Sequence, residues 1–242
     1  MNLQGEIEQA FGIKLKDLKP VAGGNSSGNF AITTMDGKRY FLKSVNPNRI
    51  EIAYRNLSVW NSPLVPRLAF DGKIFDFDGL KFFASEWAEG MPKFPENLFP
   101  AEIAALVRDY TALSEKMQPL IHGDMHCRNV LFTDDGSAIS AIVDFEMMRE
   151  GHPTEDLLRY FIHRYERVKP LKCKVRGRII ANLLQAIALS PYSREAWLKS
   201  FDLYVERKEA HRHHRGFMVF SPIARAWRSR GYAKIRERIA AL

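Results

Sequence analysis

In the stretch LIHGDMHCRNVLF (Leu120–Phe132), two histidines, an aspartate, an arginine and an asparagine fall between apolar flanks. Polar residues framed by Leu120-Ile121 and Val130-Leu131-Phe132 read as a loop emerging from a core. Asp124 offers a carboxylate that can take a proton from an attacking hydroxyl, and Asn129, five residues on, offers an amide oxygen. In AISAIVDFE (Ala138–Glu146), Asp144 stands at the end of a predicted strand. A carboxylate and an amide oxygen are hard ligands that suit Mg2+, which fills its octahedron with phosphate oxygens and water.

Two stretches nearer the N-terminus complete the set. AGGNSSGNF (Ala22–Phe30) lies between two predicted strands, and Gly23, Gly24, Asn25, Ser26, Ser27 and Gly28 make a loop whose amides can cradle phosphate. A generous hairpin turn explains that loop equally well. Strand alternation puts Lys43 on one face with Phe41 and Val45. A buried ammonium there needs a partner, and Glu51 is the nearest carboxylate in sequence that can serve; the alternative is a lysine at the sheet rim. A phosphate cradle, a cation on the phosphates, metal ligands and a base are the parts of phosphoryl transfer, here in the order a kinase uses them.

The elements that must position these residues divide the chain. Strands are predicted at Leu18–Val21, Asn29–Thr34 and Lys38–Val45, with Asp36-Gly37 as a hairpin turn. A helical period follows over Asn48–Trp60, then strands around Arg67–Phe75 and Lys81–Trp87 joined by Asp78-Gly79. From Pro100 the pattern is helical, with Ile103, Leu106, Val107, Tyr110 and Leu113 on one stripe running to Met117. Beyond Gly151 helices are predicted at Thr154–Arg167, Lys174–Leu189, Arg194–Glu209 and Pro222–Ala241. The expected architecture is α+β and bilobal. A five-stranded antiparallel sheet with one helix occupies residues 1–87, and a mostly helical lobe occupies residues 88–242.

Composition bounds the function classes. The chain has 242 residues, 46% of them hydrophobic and 26% charged, as in an ordinary globular protein with a real core. No apolar run approaches the roughly 18 residues of a membrane span, and the N-terminus lacks the apolar region of a signal peptide. Two cysteines, Cys127 and Cys173, do not make a disulfide framework, so a cytoplasmic protein is expected. HRHH (His211–His214) reads as a basic surface turn rather than a zinc site, because partner ligands at helical spacing are missing. The net charge of +8 is uneven: residues 151–242 hold 20 Lys and Arg against 8 Asp and Glu, residues 1–150 hold 16 against 20. The basic half faces a nucleic acid, an anionic lipid surface or a phosphorylated substrate, or is a solvated face. A nucleic-acid partner is disfavoured, since it leaves the acidic loop unexplained.

The motifs resemble those of the aminoglycoside phosphotransferase and choline kinase group, the small-molecule branch of the protein-kinase-like fold. HGDMHCRNVLF (His122–Phe132) is similar to the group's catalytic loop, H-G-D-x-x-x-x-N, and AIVDFE (Ala141–Glu146) to its metal-binding D-F/Y-G/E. The resemblance covers Leu18–Phe161. It implies Asp124 as catalytic base, Asn129 and Asp144 as Mg2+ ligands, and Lys43 paired with Glu51 on the α- and β-phosphates of ATP. It also implies a hinge in FASEWAEG (Phe83–Gly90) with backbone groups near Glu86–Ala88 on adenine, a packing role for His122, and Asp156 bracing the active-site loops. His126, two residues after the aspartate where serine/threonine protein kinases carry lysine, leans toward small-molecule acceptors. Cys127 and Arg128 either reach the acceptor or merely flank the loop.

One departure matters. Only Met91–Ile121 separate the hinge from the catalytic loop, where the group usually carries a longer helical insertion that builds the acceptor pocket. The acceptor site is then open, or built from the C-terminal helices. Between Arg207 and Arg238 basic residues interleave with Phe217, Met218, Phe220, Ile223, Trp227 and Tyr232; this mix either rests on an anionic membrane at its inner face or is a docking helix whose aromatics are core. The leading expectation is an ATP- and Mg2+-dependent kinase of a hydroxyl on a sugar or other small molecule, including a lipid-linked glycolipid. The alternatives are a minimal protein kinase, an amino-alcohol or aminoglycoside kinase, and a catalytically dead nucleotide-binding module.

Overall fold

The computed structural model describes residues 2–21, 28–45, 62–169, 172–214 and 222–242, with side chains of residues 211–214 and 222–228 left aside. The chain forms two compact units, Met1–Gly90 with Ser140–Glu146, and Met91–Ile139 with Met147–Leu242.

The first unit is built on a sheet of β1 (Leu15–Pro20), β2 (Phe30–Thr34), β3 (Arg39–Val45), β4 (Ile74–Phe77) and β5 (Leu80–Glu86). Their order is β1-β2-β3-β5-β4, every neighbour antiparallel. The expected Asp-Gly turns close two hairpins: Gly37 has φ 84°, and Asp78 and Gly79 have φ 50° and 74°. Left-handed backbone at a two-residue loop matches the twist of the strands it joins. Alternation sorts the two faces. Ile32, Leu42, Phe82 and Ala84 are buried in one cluster, whereas Val45 and Phe83 pack together in another. Lys43 pairs in register with Phe83.

A helix covers the larger cluster, and the strand reading of the first third did not anticipate it. This is α1 (Leu3–Phe11). The Asn2 side chain accepts from the Gly5 amide at its start, and Gly12 ends it with φ 68°. Ile7 and Phe11, four apart, are its buried face. The strand expected from Arg67 also starts later. Phe70 stacks on Phe11 with centroids 4.5 Å apart and packs on Tyr40, so Phe70–Gly72 turns as a 3-10 segment. Phe70 and Asp71 take φ 53° there, and β4 begins only at Ile74. The helix predicted over Asn48–Trp60 lies outside the described residues.

The second unit is helical. Pro100 opens α2 (Pro100–Met117), where its missing N–H costs nothing, and the Glu102 carboxylate accepts from the Phe99 amide. Its predicted stripe is the buried one. The short strand β6 (Met91–Pro92) precedes α2, and after it follow β7 (Leu120–Ile121), α3 (Pro153–Arg167), α4 (Cys173–Leu189), α5 (Arg194–His214) and α6 (Pro222–Ala240). The α5 core face holds Trp197 and Phe201, and α6 buries Tyr232, Ile235 and Ile239. Among the described residues no helix is long and apolar enough to cross a membrane.

Phe11 anchors α1 to the sheet through stacked and edge contacts with Phe70 and Phe75. Phe11→Ala should lower unfolding stability by about 3 kcal/mol in urea melts, the scale of removing a buried phenyl ring.

Candidate active site

The motif loop Ile121–Asn129 begins as β7 ends, and its entry is fixed by one buried carboxylate. Asp156, one turn into α3 and 1% exposed, accepts hydrogen bonds from the His122 amide at 2.7 Å and the Gly123 amide at 2.9 Å. Tyr110 of α2 donates its hydroxyl to the same group. Burial pushes the Asp156 carboxyl above its ordinary range, against the pull of His122 and of these donors. The bracing role that the family resemblance implied for Asp156 has this physical form. Burial together with the Asp156 charge raises the Tyr110 phenol well above the usual range, so it stays a donor.

Gly123 can be nothing else. Its φ is 78°, and a Cβ would lie 2.0 Å from the carbonyl oxygen of Met147. His122 is wholly buried, and its Nδ1 accepts from the Asp124 amide at 3.2 Å. The packing role expected of it stands.

Beyond this clamp the loop presents Asp124, which is partly exposed. Its Oδ1 pairs with Arg159 of α3, and its Oδ2 is 3.9 Å from His126 Nε2. Asn129 is buried; its Nδ2 donates to the Asp124 carbonyl at 3.1 Å, so the acceptor atom of its amide, Oδ1, is not used in that bond. The His126 ring stacks on His163 of α3, centroids 4.9 Å apart. Cys127 is buried and burial raises its thiol, so it belongs to the core, whereas Arg128 is exposed.

Arg159 and His163 were not singled out in the sequence. The signal was there: with Arg167 they recur every four residues from a point three beyond Asp156, which sets all three on one helix face. His163 is held neutral. Burial, then the neighbouring His126, Arg167, Arg159 and Lys208, lower its pKa to about 3. Arg167 Nε donates to His163 Nε2 at 3.1 Å, so the proton sits on Nδ1.

The sheet unit holds the other part. Lys43 Nζ lies 2.6 Å from Asp144 Oδ1 and 2.6 Å from Glu146 Oε1. Burial opposes the Lys43 charge, but the two carboxylates outweigh it and hold the ammonium above its ordinary range. The partnered reading of Lys43 therefore holds over the rim reading. Glu51, the partner expected from sequence, lies outside the described residues. Asp144 takes φ 71°, a left-handed conformation uncommon for a residue with a Cβ, at the turn that aims its carboxylate at Lys43. Gly28 closes the end of the glycine-rich loop: a Cβ there would meet Ser44 Oγ at 2.7 Å. Gly23, Gly24, Asn25, Ser26 and Ser27 lie outside the described residues. Glu86 ends β5 with its amide bonded to the Arg67 carbonyl at 2.8 Å, and Ala88 follows two residues on.

A metal fits this donor chemistry. Two carboxylates converging on one ammonium leave an excess of negative charge, and Asp144 and Glu146 present the hard oxygens that Mg2+ prefers. Among the described residues no cluster of three His, Cys, Asp or Glu forms a metal cage of its own.

Comparison with known proteins agrees with the motif. Residues 95–192 match the model of the phosphotransferase enzyme family. No curated protein sequence matches the chain. Among solved structures, amicoumacin kinase hAmiN in complex with AMP-PNP, Ca2+ and Ami is 15% identical, with TM-score 0.60, over 98% of this chain and 94% of that one. An aminoglycoside phosphotransferase-like protein from Ralstonia eutropha is 14% identical, with TM-score 0.58, over 99% and 97% of the two chains. A thermostable mutant of aminoglycoside phosphotransferase APH(4)-Ia, in ternary complex with AMP-PNP and hygromycin B, is 15% identical, with TM-score 0.50, over 78% and 89%. The fold is that of these kinases, and the segment that matches the phosphotransferase family model contains the HGD loop.

Two outcomes follow from the geometry. Gly123→Ala should abolish the Asp156 clamp and lower the melting temperature by at least several degrees, because both the φ and the Met147 carbonyl oppose a Cβ. His163 has a depressed folded pKa, so as pH falls below about 6.5 the unfolded chain takes up a proton that the folded chain refuses. Its contribution is intact above that pH and is lost progressively toward about 3. Urea melts at pH 7 and pH 5 should show less loss of stability in His163→Gln than in the unaltered protein.

Proposed function

We propose that the chain is a kinase that transfers the γ-phosphoryl group of ATP, with a divalent cation, to a hydroxyl of a small molecule. The observation that carries this reading is Asp124 projecting from a loop whose preceding amides are locked on buried Asp156. A base placed in that way keeps its position while the acceptor comes and goes. Asp124 orients the acceptor hydroxyl and receives its proton as the oxygen bonds to the γ-phosphorus and the bond to the β,γ-bridging oxygen breaks, leaving a phosphomonoester and ADP.

Asn129 and Asp144 are the proposed Mg2+ ligands. When bound, the metal supplies charge neutralisation to the phosphate oxygens. Lys43, with Glu51, is assigned to the α- and β-phosphates, the loop at Gly23–Gly28 to covering them, and backbone groups near Glu86–Ala88 to adenine. Trp87 marks the end of the nucleotide-binding lobe in this reading. The nucleotide and metal assignments draw support from relatives bound to AMP-PNP and Ca2+.

The finer reading of the acceptor is a sugar hydroxyl, including one on a lipid-linked glycolipid presented at an anionic membrane surface. Its support is the basic excess in residues 151–242 and the single helix, α2, between Met91 and the loop. Against it, Tyr232, the one aromatic of the basic C-terminal stretch whose side chain is described, is buried and donates to Glu166.

Transfer of labelled γ-phosphate to fractions of a cell extract tests the reading. Label in the soluble metabolite or glycolipid fraction supports it and chooses between the two acceptors. Label in protein alone replaces it with the protein-kinase alternative. In calorimetry, Asp144→Ala should lose most of the Mg2+-dependent gain in ATP affinity; an undiminished gain removes Asp144 from the metal site.

A further inference from the structure

The α3 face beside Asp124 carries donors that the kinase reading leaves unused. Arg159 gives one nitrogen to Asp124, but its Nε is buried and has no hydrogen-bond partner among the described residues. One turn on, His163 Nδ1, which carries the ring proton, is likewise buried and unpartnered. A buried N–H without an acceptor costs about 1–3 kcal/mol. Two of them four residues apart, next to the residue proposed as base, read as a site whose acceptor atoms come from a ligand.

The local charge says what kind of ligand. Neighbouring cations have carboxylate partners elsewhere: Arg149 and Arg207 share Glu155, Lys208 pairs with Glu166, and Arg164 pairs with Glu96. Among the described residues Arg159 pairs only with Asp124, and Arg167 donates to the neutral His163 ring. A cationic acceptor would face guanidinium groups across this surface. An oxyanion satisfies both orphan donors and meets the Arg159 charge in a charge-assisted bond.

We propose that Arg159 and His163 form a subsite for an anionic oxygen group, phosphate or carboxylate, on the acceptor, and that the hydroxyl phosphorylated is a near neighbour of that group. This rests on the reading of Asp124 as the base. Arg159 is a specificity determinant that stands between the anion and Asp124, so an acceptor lacking the group leaves the guanidinium on the carboxylate alone.

Histidine ring resonances in 1H–15N spectra report on the subsite without turnover. With AMP-PNP and Mg2+ present, inorganic phosphate and acetate are titrated separately, with chloride at equal ionic strength as control. Saturable shifts of the His163 and His126 rings, about tenfold weaker in Arg159→Met and partly retained in Arg159→Lys, are expected, tenfold being about 1.4 kcal/mol. Tighter binding of phosphate assigns a phosphorylated acceptor, and tighter binding of acetate a carboxylated one. Shifts that chloride reproduces, or that Arg159→Met leaves unchanged, overturn the subsite. His163→Gln supplies the same comparison should Arg159→Met not fold. Failure of the kinase reading shows separately, as absence of AMP-PNP binding in the same sample.

Discussion

The candidate site depends on one buried carboxylate. Asp156 is removed from water, which alone disfavours its charge, and it is kept in place by three converging donors. The ties run to two places: the first two residues of the loop after β7, and α2. Taking the carboxylate away leaves two amides and a phenol buried without an acceptor, each at a cost of about 1–3 kcal/mol. The loop carrying Asp124 and Asn129 is therefore as rigid as the packing of α2 on α3. Gly123 permits this by taking the left-handed turn that brings both amides onto one group.

Within the sheet unit the controlling interaction is the lysine between two carboxylates. Strand alternation delivers Lys43 to the face it shares with Val45 and Phe83, and burial there makes a partner obligatory. Asp144 reaches it only by adopting a backbone conformation that costs on the order of 1–3 kcal/mol, which the surrounding contacts must offset. The two units have opposite local character. Carboxylates exceed cations around Lys43, whereas guanidinium and imidazole groups line the α3 face. On the readings proposed above, the first would hold a metal with its phosphates, and the second an acidic acceptor.

Much of this was legible in the sequence, and the reasons are particular. The α2 stripe from Ile103 to Met117 and the four helices after Gly151 are long, periodic segments in which one reading dominates. The HGD loop stood out because polar chemistry inside apolar flanks has few structural explanations. The N-terminal helix was hidden by its length: nine residues carry only two buried positions, Ile7 and Phe11. Phe70 departed from its predicted strand because an aromatic stack on a helix not foreseen outweighs strand propensity. Arg159 and His163 escaped notice because charged residues at helical spacing usually mark a solvated face, and only the fold turns that face toward Asp124. Glu51 and most of the glycine-rich loop lie outside the described residues, so their assignments rest on motif order alone.

The central claim is that Asp124 is the base of a phosphotransfer site, and its most direct measurement separates turnover from nucleotide binding in Asp124→Asn. The neutral isostere should still bind ATP with Mg2+ within a few-fold of the unaltered protein, while Asp124-dependent phosphate transfer falls by about 100-fold or more, the scale of losing a positioned general base. Transfer that persists near its original rate in Asp124→Asn would contradict the account.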